Sequence, residues 1–156
     1  MGRMYSVSFS AQAMTTAQDL FEITPADDKP IRVAGLWLYQ STDLGDAAEE
    51  IIPIVIKRGN ATSGSGGAAG TIETIAPTGA TPGFSAEVYN TTAASAGTED
   101  ILYRDGWNVR IPYQFLPPED MRPGASQAHT TLVVALGAAP ADSITVSGTI
   151  VIEEMG

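Results

Sequence analysis

The sequence predicts an all-β fold: a two-sheet antiparallel sandwich of jelly-roll type, with long loops rich in Gly, Ala, Ser and Thr. An immunoglobulin-like Greek key is the alternative. Three observations carry this. Short segments along the 156-residue chain alternate apolar and polar side chains, the period of a half-buried strand. Gly and Pro clusters punctuate those segments, as they do between strands. Almost no stretch has the 3.6-residue period of an amphipathic helix. Together they predict about eight or nine strands in one domain over residues 1–156.

Residues 1–4 read as an N-terminal arm. Tyr5, Val7, Phe9 and Ala11 then alternate with Ser6, Ser8 and Ser10, an amphipathic strand. Residues 18–24 form a second strand, with Phe21 and Ile23 inward and Glu22 outward. Residues 25–30 are a turn by composition. Residues 31–40 are apolar on both faces, with Ile31, Val33, Trp37 and Tyr39 opposite Ala34, Leu36 and Leu38, as in a central strand. Ser41 or Asp43 can cap a short helical turn through Asp46, Ala47, Ala48 and Glu49. Residues 51–57 return to strand, with Ile52, Ile54 and Ile56 on one face. Pro53 cannot donate to a ladder, so an edge or bulge is expected there.

Residues 59–83 hold seven glycines and a single charge, Glu73. They read as one long irregular loop. Ordering so many glycines is entropically costly, so a neighbouring chain is expected to hold them. Residues 84–89 alternate again, and residues 90–98 are a second uncharged, small-residue loop. Residues 101–103 and 107–115 are strands flanking Asp105-Gly106, a hairpin-turn dipeptide. Residues 116–127, with Pro117, Pro118 and Pro123, form an irregular connection. Residues 130–154 close the chain. Leu132, Val134 and Leu136 lie opposite Thr131, Val133 and Ala135; Ile144, Val146, Ile150 and Ile152 lie opposite Thr145, Ser147, Thr149 and Glu153. With a turn at residues 137–143, this reads as a long hairpin forming one wall of the sandwich.

Composition narrows function mostly by exclusion. At 16.3 kDa a chain exposes ~7,500 Å² folded against ~23,600 Å² unfolded, enough burial for a core without staples. There are no cysteines, hence no disulfides or thiolate metal sites. The net charge is −10, and the only adjacent basic pair is Lys57–Arg58. Nucleic acid and anionic membranes, which need clustered Lys and Arg, are therefore not expected partners. No apolar run approaches the ~20 residues that span a bilayer, and no apolar signal core opens the chain. Gly2 and Ser6 match the myristoylation pattern loosely, and Asn60-Ala-Thr62 and Asn90-Thr-Thr92 are formal glycosylation sequons. Without a secretion signal neither sequon is expected to be used.

No catalytic motif stands. His129 is the only histidine and lacks a G-x-S-x-G context. The acid pairs Asp27–Asp28, Glu49–Glu50, Glu99–Asp100, Glu119–Asp120 and Glu153–Glu154 read as solvated turns and strand ends. Adjacent strand residues point apart, so no pair makes a glycosidase dyad. Asp43 and Asp46 could contribute to a calcium site, but the EF-hand spacing is missing. Ser63-Gly-Ser-Gly-Gly67 lacks the Gly-Lys-Ser/Thr of a phosphate loop. The expectation is no catalytic, cofactor or metal residue. Trp107, Tyr113 and Phe115 share one parity and are expected to pack the core; a sugar-binding face with Tyr89 is the alternative.

Three segments carry a resemblance: Gln18-Asp-Leu-Phe-Glu-Ile23 followed by Pro25-Ala-Asp27, Gly45-Asp-Ala-Ala-Glu-Glu50, and residues 132–142 continuing through Ser147-Gly-Thr149 to Glu154. In order and in the small polar loops between them, they resemble small virion structural proteins of tailed bacteriophages, over most of the chain. The resemblance implies a non-enzymatic capsid cement or decoration protein, made in the host cytoplasm and carried on the capsid surface. It implies contact with the major capsid protein and with other copies of this chain, a trimer being favoured. A tail- or fibre-associated sandwich is the alternative, and a carbohydrate-binding module the next. The expected interface residues lie in the arm, the loops and the aromatic strand: Met4, Asn60, Ser63, Ser65, Ile72, Ile75, Tyr89, Thr91, Thr92, Tyr113 and Met121.

Overall fold

The computed structural model describes residues 2–42, 49–129 and 131–156. The helical turn expected around residues 43–48, the Asp43–Asp46 calcium pair, the Thr130 start of the last hairpin and the side chain of His129 lie outside the described residues. Among the described residues twelve strands follow one another: β1 (Arg3–Met14), β2 (Asp19–Thr24), β3 (Ile31–Gln40), β4 (Ile51–Thr62), β5 (Ala68–Ala69), β6 (Ile72–Thr74), β7 (Ser85–Asn90), β8 (Ser95–Asn108), β9 (Tyr113–Phe115), β10 (Gly124–Ala125), β11 (Leu132–Leu136) and β12 (Ile144–Glu154). The first sheet has the order β10-β3-β12-β1-β6, with β9 also on β3; the second has the order β5-β7-β2-β11-β4-β8.

The topology is that of a hairpin rolled up on itself. β1 pairs with β12, β2 with β11, β3 with β9 and β4 with β8, all antiparallel. Rolling that double ribbon brings β12 beside β3 and β11 beside β4. The eight strands then lie as β9-β3-β12-β1 over β2-β11-β4-β8, the jelly-roll arrangement expected from the pattern. The remaining strands are additions. β6 covers part of β1, while β7 and then β5 extend the sheet beyond β2.

Phe9 from β1 meets Phe21 from β2 across the sandwich at 5.2 Å between ring centroids. Around them Tyr5, Val7, Leu36, Leu38, Ile52, Ile54, Ile56, Leu132, Val134, Ile150 and Ile152 are all buried, and each comes from an alternating run. The folded surface is 7557 Å², in line with the size estimate.

Several expectations are corrected. β11 and β12 are not a hairpin, because they lie in different sheets. The seven residues between them are long enough to cross the ~10 Å between packed sheets. Nor is there a hairpin turn at Asp105-Gly106. β8 runs straight through it because β4 offers a continuous ladder, pairing Ile54 with Asp105 and Pro53 with Gly106. Asp105 instead accepts from its neighbour's amide, Gly106 N to Oδ1 at 2.7 Å. Arg3 and Met4 are not part of a free arm, since they pair with Glu154 and Glu153.

Residues 59–83 are not one loop either. β4 extends to Thr62, and β5 and β6 fall within the stretch. Residues 90–98 shrink to a short link, since Asn90 ends β7 and Ser95 opens β8. Pro53 sits inside the sheet, one residue beyond the last β4–β11 pair, where its missing N–H costs no ladder bond. Its carbonyl still accepts from Gly137 at 2.7 Å. A bulge between Val151 and Ile152 on the β3 ladder switches the inward parity of β3. Ile31 and Val33 point in before it and Leu36 and Leu38 after it, which turns Trp37 and Tyr39 to the outer face.

Candidate interaction surface

The acids that the sequence assigned to solvent turn out to organise the loops. Glu22 is only 2 % exposed, because residues 63–67 fold over the outer face of β2. Its carboxylate accepts from Ser63 Oγ at 2.6 Å, Gly64 N at 2.8 Å and Asn90 Nδ2 at 3.2 Å. Asn90 Oδ1 in turn accepts from Gly67 N at 3.2 Å. Ser65 and Thr92 exchange two backbone bonds, at 3.0 and 2.9 Å. Gly64 must be a glycine here, since a Cβ would stand 2.8 Å from Asn90 Nδ2 and 2.9 Å from Asp19 Oδ2. These small-residue segments are therefore held by the chain's own carboxylates. The ordering entropy that suggested a neighbouring molecule is met internally.

Asp19 performs the same task for the next link. Its Oδ2 accepts from Ala94 N at 2.6 Å, while Oδ1 has no hydrogen-bond partner among the described residues. A cavity of about 260 Å³ lies alongside, lined also by Lys57, Glu99 and Arg104. Burial pushes the Asp19 carboxyl up from 3.8 to about 6, against the opposing pull of Ala94 N–H and Lys57. Asn60 and then Lys57 hold Glu99 below its usual range.

An acid whose folded pKa is raised adds least stability once both states are ionised. Asp19 therefore costs up to about 3 kcal/mol above pH 6 relative to pH below 4. Asp19→Asn should gain on the wild type by as much as that as pH rises from 4 to 7, read by urea unfolding at each pH. A difference that stays constant across the range contradicts the assignment.

At the other edge the final acid pair is buried too, with Glu153 and Glu154 each 1 % exposed. Glu153 Oε2 faces Arg122 Nη1 at 2.8 Å and Arg32 Nη2 at 3.1 Å, and Oε1 accepts from Gly2 N at 2.9 Å. Desolvation raises its pKa, but Gly2 N–H and the two guanidiniums outweigh that and hold it below the ordinary value. Glu154 accepts from Gly83 N at 2.7 Å and sits 3.9 Å from Lys29 Nζ. The last strand thus ties down the chain start, the region around Gly83 and the connection through Arg122.

The expected interface residues divide. Ser63, Ser65, Ile75, Thr91, Thr92 and Met121 are exposed. Met4, Ile72 and Tyr89 are half-buried, Ile72 packing against the core and Tyr89 standing 5.7 Å from Phe9. Asn60 and Tyr113 are buried and are withdrawn as surface contacts. Asn60 donates to Glu99 at 2.9 Å, and Tyr113 donates to Asp105 at 3.3 Å. Both sequon asparagines, Asn60 and Asn90, are 2–3 % exposed, so neither is open to a glycosylating enzyme. Trp107 and Tyr113 are buried and Phe115 is half-buried. A row of Trp107, Tyr113 and Tyr89 for sugar stacking is not formed.

The exposed large apolar side chains are Ile75 and Met121 from the expected set, together with Tyr39, Ile51, Ile101, Ile111 and Leu116. Alternation placed Tyr39 beside Trp37, but only the sheet shows that this face turns outward. Among the described residues no group of three or more His, Cys, Asp or Glu could hold a metal ion. No known protein family matches this chain, nor does any curated protein or solved structure. The described surface sets apolar side chains among acids. Lys29, Arg32, Lys57, Arg58 and Arg122 are all paired within the chain.

Proposed function

We propose that this chain is a non-enzymatic structural protein of a tailed-phage virion, a capsid cement or decoration protein that docks on the major capsid protein. The segment resemblance supports the reading. The observation that carries it physically is the disposition of charge: five of the eight basic side chains are paired with acids of the same chain, which leaves an acidic exterior, net charge −10, with exposed apolar residues set in it. Such a surface suits docking on a basic protein lattice, where symmetry repeats many weak contacts. A jelly-roll body with internally tied loops is already rigid, so little ordering cost is left for docking. Assembly with further copies, as a trimer, follows the same resemblance.

Co-sedimentation of the purified protein with empty shells of the major capsid protein tests this. Binding that saturates at a fixed ratio is expected; protein that stays in the supernatant at every ratio overturns the reading. Labelled protein found on tails would reassign it to the tail. Attachment should weaken several-fold between low salt and about 0.5 M salt, because screening shortens the reach of surface charge to a few Å. Attachment unchanged up to molar salt argues for apolar contacts alone.

A further inference from the structure

We propose that the outer face of β3, together with the arch of residues 116–123 beside it, is the surface that engages the shell, and that it fits a protein patch with an apolar centre flanked by Lys or Arg. This rests on the docking function above and names the surface that performs it.

The arch exists because β3 has two short partners on one edge. β9 pairs with Leu36, Trp37 and Leu38, and β10 pairs with Ile31 and Arg32. The residues between β9 and β10 must leave the sheet and return, and Pro117 and Pro118 keep them from pairing. Val33 N donates to the Pro123 carbonyl at 2.8 Å, and Arg32 reaches the Glu119 carbonyl at 3.4 Å. The 3-10 turn Glu119–Met121 is thereby held next to the outer face.

That arch exposes its apolar residues. Leu116 is 55 % exposed and Met121 70 %. The Trp37 ring lies across Gly35, where a Cβ would come within 2.5 Å of its Cη2 and 3.0 Å of Leu116 Cδ2. Glycine at this position lets tryptophan and leucine meet as one flat apolar patch. Tyr39 continues it along the same strand face, 51 % exposed. On β12 and β1 the face carries small hydroxyls, such as the Ser8–Thr149 pair at 2.8 Å, and on β9 the exposed Gln114 stands opposite Trp37.

The charge beside this patch is net acidic, with Arg32 Nη2 3.9 Å from Glu119 Oε1. Glu119 and Asp120 are exposed. The two guanidiniums nearby, Arg32 and Arg122, are both drawn onto buried Glu153. The apolar centre therefore has an acidic rim whose local cations are already neutralised, which selects a partner with a basic rim. The other exposed pair, Ile51 and Ile111, adjoins Asn108, whose side-chain amide donates to Glu49 at 2.9 Å.

The test compares the wild type with Leu116→Asp/Met121→Asp, with Glu119→Lys/Asp120→Lys, and with Ile111→Asp as a far-end control, all by co-sedimentation with shells. All these sites are exposed, and thermal melts confirm that each variant is folded. The apolar pair should weaken attachment about thirtyfold or more, as loss of a central contact does. The charge pair should weaken it at low salt and flatten its salt dependence. Ile111→Asp should stay within about twofold. Wild-type binding with the arch variants unchanged, or with only Ile111→Asp impaired, overturns this surface while leaving the docking function standing. Absence of wild-type binding overturns both.

Discussion

Glu153→Ala should lower stability by about 3 kcal/mol, or roughly 6–12 °C in Tm for a chain of this size. The carboxylate is 1 % exposed and meets Arg122, Arg32 and Gly2 N within 3.1 Å. Removing it takes from Arg122 its carboxylate partner and leaves Arg32 only the more distant Glu119, 3.9 Å away, the costly half of a broken buried pair. Their side chains are 18 % and 26 % exposed, so water recovers some of the loss, which places the estimate at the low end. The pH dependence has a definite sign. Because the folded pKa of Glu153 is held low, its contribution is complete above the ordinary carboxylate range and disappears as pH falls below it. Wild type and Glu153→Ala should therefore converge in acid, as read by thermal melts in a buffer series. Equal melting points at neutral pH would show that the cluster contributes nothing.

Glu22→Ala should cost about 2–4 kcal/mol and, more tellingly, loosen one segment selectively. Three donors converge on that carboxylate, and two of them, Gly64 N and Asn90 Nδ2, are buried. Stranded buried donors each cost about 1–3 kcal/mol, part of which a rearranged loop regains. Hydrogen exchange should quicken most at Gly64 and Gly67, while β11 and β12 quicken only as far as global stability falls. The experiment is done on isolated protein in solution. Uniform protection across residues 63–67 in the variant would mean that something other than Glu22 orders this segment.

Legibility was uneven, and particular residues show why. Phe9, Phe21, Val134 and Ile152 were read as inward from alternation alone, and all four are buried. Glu22 was read outward because it alternates with Phe21 and Ile23, and in strand geometry it does point away from the core. What covers it is residues 63–67, some 40 positions later, which no local window contains. Asp105-Gly106 carries strong turn chemistry, yet the β4 ladder outweighs a dipeptide preference. Of the surface proposed for docking, the sequence points to Met121, while Trp37 and Tyr39 share one face with no sign of which side it takes.

The alternation of side chains by itself determined that this protein is a two-layer β structure and where most strands run, because strand parity is a property of consecutive residues. Partnership came only with the tertiary structure. β1 meets β12 and β2 meets β11 through pairs as far apart as Arg3 and Glu154, and the period is the same whichever strand lies alongside. The fate of the acids was likewise decided in three dimensions. A carboxylate can stay buried only where donors gather around it, and for Asp19, Glu22, Glu153 and Glu154 those donors arrive from distant parts of the chain.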